Sequence, residues 1–147
     1  MAIENSSIFS DSKMTDEFGW WLTGFTDGEG CFSYGKKKRT FTTFRIILRE
    51  DDKKILEEIR KMLGCGNLYY RDISDKSNWK PEYRSKNTRN QWVYKVENAY
   101  DLIERIIPFF DKYKLKAKKK EQYKEWKEFV IKKWDRLCKR GIKEVSK

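Results

Sequence analysis

The chain has 147 residues, enough for one compact domain with a real core and short for two. Lys and Arg outnumber Asp and Glu by 34 to 23, and the resulting net charge of +11 attracts polyanions, nucleic acid first and an anionic membrane second. There is no histidine, and the three cysteines (Cys31, Cys65, Cys138) stand far apart; this excludes histidine-dependent nucleases, Ser-His-Asp hydrolysis, zinc deaminase chemistry and a disulfide framework, leaving carboxylates and lysines for any catalysis.

The apolar fraction of 38% is rich in aromatics, with six Trp, eight Tyr and nine Phe, and these bury enough area per residue to carry a small core. No apolar run approaches the ~18 residues of a spanning helix. Residues Met1 to Met14 are polar and Ser-rich, without the apolar centre of a secretory signal. The expectation is a soluble intracellular protein, of a prokaryotic cytoplasm or an organelle, with no membrane partner.

In chain order, residues 1–14 read as a flexible leader and residues 15–147 as a single domain. Thr15 or Asp16 caps a first helix through Phe18, Trp21, Leu22 and Phe25, which stops at the turn formed by Asp27, Gly28, Glu29 and Gly30. Cys31 to Lys36 and Thr40 to Arg49 alternate as two strands around the basic turn Lys36-Lys37-Lys38-Arg39. In the second strand Phe44, Ile46 and Leu48 share one face, and Thr43, Arg45, Ile47 and Arg49 the other. Asp51 or Asp52 caps a second helix, striped by Ile55, Ile59, Met62 and Leu63 and ended by Gly64.

Gly66 to Arg71 and Gln91 to Glu97 form a second strand pair, separated by the long polar stretch Asp72 to Asn90. A third helix, Ala99 to Ile107, ends before Pro108. A fourth runs from about Leu115 to Lys139, with Tyr123, Trp126, Val130, Trp134 and Leu137 at helical spacing. This order predicts an α+β fold, a four-stranded antiparallel sheet with helices packed on one face and the other face free.

The stretch Leu22-Thr23-Gly24-Phe25-Thr26-Asp27-Gly28-Glu29-Gly30 singles itself out. Read alone, its last four residues are a capping turn with solvated acids. Two features argue for more. Gly24, one turn before Gly28, gives a small-residue face on which another helix could approach closely. The acids stand at a helix C-terminus, where the dipole disfavours anions and a cation would relieve them. The stretch resembles the motif of the LAGLIDADG homing endonucleases at Leu22, Gly24, Phe25, Asp27, Gly28, Glu29 and Gly30, with Thr23 where that family usually has Ala. The element order αββαββα is also that family's, so the resemblance covers roughly Asp16 to Lys139.

The resemblance implies a homodimeric, intron-encoded, site-specific endonuclease that makes staggered cuts in a long pseudo-palindromic double-stranded DNA target. Only one motif copy is present, so two chains would pair through Leu22, Gly24, Phe25 and Asp27. Glu29 and the Gly28 carbonyl would hold Mg²⁺, with Mn²⁺ as a substitute and Ca²⁺ non-productive. Asp27 would support the helix end. Lys116 best matches the family's helper lysine, with Lys118 its rival. Where some members carry a polar residue at the end of the second strand, this chain has Leu48; either Arg49 or another group substitutes, or the water network differs.

Alternation and strand alignment together assign base reading to Ser33, Lys37, Arg39, Thr43, Arg45, Asn67, Tyr69, Arg71, Gln91 and Lys95. A plain solvated sheet face is the competing reading for each. Lys36, Lys38, Arg84, Lys86, Arg89, Lys118 and Lys119 suit phosphate contacts. The rival functions are an RNA-splicing maturase or non-cleaving relative on the same fold, and a basic RNA-binding protein that needs no Mg²⁺ and no dimer.

Overall fold

The computed structural model describes residues 7–10, 13–73 and 90–145. The elements are α1 (Ser7–Ser10), α2 (Asp16–Glu29), β1 (Gly30–Lys36), β2 (Thr40–Arg49), α3 (Lys53–Leu63), β3 (Asn67–Arg71), β4 (Gln91–Val96), α4 (Ala99–Asp101), α5 (Ile107–Lys112) and α6 (Lys119–Val145). The four strands form one antiparallel sheet in the order β1-β2-β4-β3. The expected α+β architecture is therefore present. One face of the sheet is closed by helices and carries the core; the other is open.

Local chemistry explains where the elements begin and end. Thr15 Oγ1 accepts from the Phe18 N–H at 3.1 Å, and Asp16 and Glu17 sit in the first turn of α2, where the helix dipole favours acids. Gly64 ends α3 in the left-handed region at φ 71°, a conformation that side chains resist. Phe32, Phe44, Ile46, Tyr94 and Val96 point from the sheet into the core, meeting Leu56, Ile59 and Leu63 of α3 and Tyr123, Trp126 and Val130 of α6. Those α6 residues recur every three or four positions, the spacing of one helical stripe.

Several boundaries differ from the expected ones. The fourth helix starts at Lys119, not Leu115, and runs on to Val145. Its expected first turn is instead drawn out by long-range contacts of the Lys116 and Ala117 amides with α2. Pro108 does not end the third helix. A π-helical turn over Leu102–Ile106 precedes it, with the Ile107 N–H donating to the Leu102 carbonyl, and Pro108 follows directly as the second residue of α5, so the helix continues through it. Asp52 makes no side-chain cap on α3, which follows a short 3-10 turn over Glu50–Asp52. Within the expected leader, Ile8 of α1 is buried in the core.

Among the described residues no helix is long and apolar enough to cross a membrane. Cys65 is partly buried, and burial, with the charge of Asp101 adding, pushes its thiol up to about 12 against the opposing effects of Tyr94 and Arg105. At pH 8 the exposed Cys138 is expected to take iodoacetamide while Cys65 stays unmodified until the chain unfolds, as peptide mass mapping would show.

Candidate active site

α2 runs without a break to Glu29 and passes directly into β1 at Gly30. Gly30 is extended (φ −77°, ψ 163°), and its N–H still donates to the Thr26 carbonyl. The turn expected over Asp27–Gly30 is therefore absent: among the described residues only Gly64 and Gly66 have positive φ. What Gly30 supplies is room. A Cβ there would fall 2.5 Å from Thr26 Cγ2 and 3.0 Å from Thr26 O, so a side chain would push strand and helix apart.

Around this junction the chain brings together residues some ninety positions apart. The Asp27 carboxylate accepts from the Lys116 N–H (3.1 Å) and the Ala117 N–H (3.3 Å). Lys119 Nζ, at the first residue of α6, donates to the carbonyls of Asp27 (3.1 Å) and Gly28 (3.4 Å). An ammonium on the last carbonyls of α2 answers the negative end of its dipole. Lys119, expected as a phosphate contact, is thus engaged at the helix end. Lys116 contributes its backbone here, while its exposed side chain borders a recess with Trp20, Thr23, Gly24 and Lys114. Lys118 is exposed.

Glu29 is exposed and, among the described residues, makes no hydrogen bond or ion pair. No group of three or more His, Cys, Asp or Glu among the described residues is placed to hold a metal ion. What the chain offers a cation at this point is one free carboxylate beside main-chain carbonyls. These are hard oxygen donors, of the type that suits Mg²⁺ or Ca²⁺, in a number that leaves room for water, phosphate oxygens and a second carboxylate.

The outer face of α2 is unusual for a soluble helix. Gly19, Leu22, Thr23 and Thr26 face inward. Tyr113 locks this side: its ring occupies the space a Cβ at Gly19 would need, its hydroxyl donates to Asp16 (2.7 Å) and its carbonyl accepts from Thr23 (2.8 Å). Outward stand Trp20 (51% exposed) and Trp21 (42%), with Phe25 stacked on Trp21 at 5.1 Å. A Cβ at Gly24 or Gly28 would meet nothing within 4 Å. Leu22, expected between two copies, is instead fully buried in the chain's own core and offers no surface. Trp20 and Trp21 were the signal for this face that the motif match passed over.

On the sheet, pairing puts Arg45, Lys95 and Asn67 in one row across three strands and Arg49, Gln91 and Arg71 in another. Ser33 opposes Thr43, and Tyr69 opposes Val93. All eight strand residues assigned to base reading share the open face. They are not equally free. Thr43 is 7% exposed, and Lys95 pairs with Glu97 at 3.2 Å and lies over the Tyr69 ring. Lys37 and Arg39 belong to the turn that joins β1 to β2, while Arg84, Lys86 and Arg89 lie outside the described residues. Leu48 packs against the core and Arg49 takes the open face, opposite Gln91.

The model of the family described as LAGLIDADG endonuclease matches residues 22–88 and 82–130. A probable intron-encoded DNA endonuclease of Mycosarcoma maydis is 30% identical over 104 residues, 69% of this chain and 33% of its own length. The structure of the homing endonuclease I-GzeII in complex with its DNA target superposes with a TM-score of 0.64 at 26% identity, over 92% of this chain and 43% of that one. I-SmaMI, bound to uncleaved DNA target in the presence of calcium ions, gives 0.62 at 25% identity, over 87% of this chain and 42% of that one. The chain thus spans a third of the length of the curated relative and about two-fifths of the two solved ones.

Proposed function

This chain belongs to the LAGLIDADG endonuclease family, and from that premise we propose that it is a site-specific endonuclease of double-stranded DNA, two copies of which pair through α2 and cut the two strands with a stagger. The observation that carries the reading is the junction at Gly30, where an unpaired Glu29 carboxylate at the end of a helix with an exposed aromatic face joins, with no intervening loop, a strand of the basic open sheet.

Pairing through Trp20, Trp21, Gly24 and Phe25 covers apolar surface and brings two Glu29 carboxylates to one two-fold axis, one for each strand. Two-fold symmetry in turn calls for a pseudo-palindromic target. Glu29 would hold Mg²⁺ together with the Gly28 carbonyl, from which Lys119 Nζ, 3.4 Å away, would withdraw, with Mn²⁺ able to replace it and Ca²⁺ bound without turnover. When bound, the ion would supply Lewis acidity at the scissile phosphate and a more acidic water. The remaining roles fall to this chain's own groups. Asp27 fixes the segment that carries Lys116, Lys119 holds the Asp27 carbonyl at the helix end, and the Lys116 ammonium balances charge developing on the phosphate. The open face lies in the major groove, Arg45 and Arg71 suited to guanine and Gln91 and Asn67 to adenine.

The test is incubation with a randomised duplex library in Mg²⁺ and, separately, in Ca²⁺, followed by sequencing of the ends. Staggered ends within one near-palindromic sequence, formed in Mg²⁺ and absent in Ca²⁺, are the expected outcome. Selective retention of a duplex without cutting in either ion would make the protein a non-cleaving relative, and a monomer selecting no duplex would refute the proposal.

A further inference from the structure

Away from the open face, a cleft of about 470 Å³ runs between the β1–β2 turn and the distal half of α6. Lys36, Lys38 and Arg39 border it from the turn, and Lys133, Arg136 and Arg140 from the helix. The helical three recur at the spacing of one stripe, so they point the same way. No acidic residue lines the cleft, and none of the six cations forms an ion pair among the described residues. Six like charges held together repel one another, and among the described residues no carboxylate pairs with any of them.

The walls are fixed. Tyr34 stacks near Phe129 (5.0 Å) and donates to Glu125 (3.1 Å), and Lys133 donates to Thr42 Oγ1 (3.4 Å). Tyr34 and Thr42 pair with each other and alternate in register with Phe32 and Phe44 of the core, so α6 docks on the closed side of the hairpin. The cleft therefore opens on the side opposite Arg45 and Lys95. A duplex lying on the open face leaves it uncovered.

We propose that this cleft is a second nucleic-acid site, which grips the phosphodiester backbone of a strand outside the segment lying on the sheet. The proposal rests on the DNA-binding reading above and adds a sequence-independent contact to it. From Lys133 to Arg140 the helix rises about 10 Å, the axial span of about three phosphates of one strand. A row of that length suits a backbone better than a lone phosphate. The strand comes either from the flank of the bound duplex or from a separate nucleic-acid segment.

Arg136→Gln/Arg140→Gln tests it, since both residues are exposed and neither belongs to the cutting site or the open face. Binding is followed by fluorescence anisotropy against salt, with duplexes of increasing length in one arm and, in the other, a labelled single strand added to protein already saturated with a short duplex. Loss of two phosphate contacts lowers the slope of log K against log salt by about 1.8 on duplex DNA and about 1.4 on a single strand. A change confined to longer duplexes identifies the flank, and a change in the second arm a separate segment; either supports the site. Arg136→Lys/Arg140→Lys is expected to restore the slope. Slopes equal to those of the unaltered protein on every probe overturn the proposal. A protein that cuts no library member yet shows the slope change keeps the cleft and loses the endonuclease reading.

Discussion

Glu29→Gln is expected to reduce cleavage at least about a hundredfold, the scale of losing one electrostatic stabiliser of a transition state, while DNA affinity and melting temperature stay close to those of the unaltered protein. Glutamine keeps the shape of the side chain and removes the charge that a hard divalent ion requires. Because Glu29 is exposed and makes no hydrogen bond or ion pair among the described residues, the fold loses nothing with it. The neighbouring acid should behave differently. Asp27 bonds two main-chain amides of the segment before α6, so its loss acts on the structure as well as on cutting. Single-turnover cleavage beside a thermal melt separates the two, and undiminished cutting by the Glu29 variant would place the acid elsewhere.

Trp126→Ala is expected to cost about 3–5 kcal/mol of stability; Trp126 is the bulkiest of the fully buried side chains among the described residues. Trp126 is wholly buried, lies 5.0 Å from the ring of Phe32, and donates its indole N–H to the Thr43 carbonyl at 3.1 Å. The alanine variant leaves a cavity between α6 and the sheet and removes that hydrogen bond. Trp126→Phe retains a ring and is expected to lose less. Urea unfolding checks this: the midpoint should fall with its slope unchanged, and the melting temperature should drop by roughly 10 °C. The effect should reach the open face, because Trp126 supports the strand at Thr43, next to Arg45.

How far the sequence could be read depended on the range of the interaction. Strand alternation is a local signal, and it placed Arg45, Asn67, Tyr69, Arg71, Gln91 and Lys95 on the open face and Phe44 and Ile46 in the core. The stripe of Tyr123, Trp126 and Val130 on the fourth helix was legible for the same reason. The motif match marked Glu29 and Gly28, yet it could not separate the inward Leu22 from the outward Trp20 and Trp21, since a match of letters does not say which side of a helix is already covered. Missed altogether was the tie between Asp27 and the amides of residues 116 and 117, which no local pattern encodes. That tie explains why the fourth helix starts late and why Lys119 meets the end of α2. Pro108 misled for the converse reason: local preference predicts a stop, and a π turn lets the helix continue.

With Gly30 serving as both the end of α2 and the first residue of β1, no slack separates acid from strand. Ser33, three residues on, lies about 10 Å along an extended chain, the length of about three base-pair steps. In the proposed endonuclease the junction would therefore work as a fixed gauge: whatever bases the strand engages, the break would fall at a set offset from them, held by the covalent backbone. Retargeting by substitution on the open face would change which sequence is chosen and leave the spacing of the cut untouched. Adding or removing a residue at the junction would do the reverse.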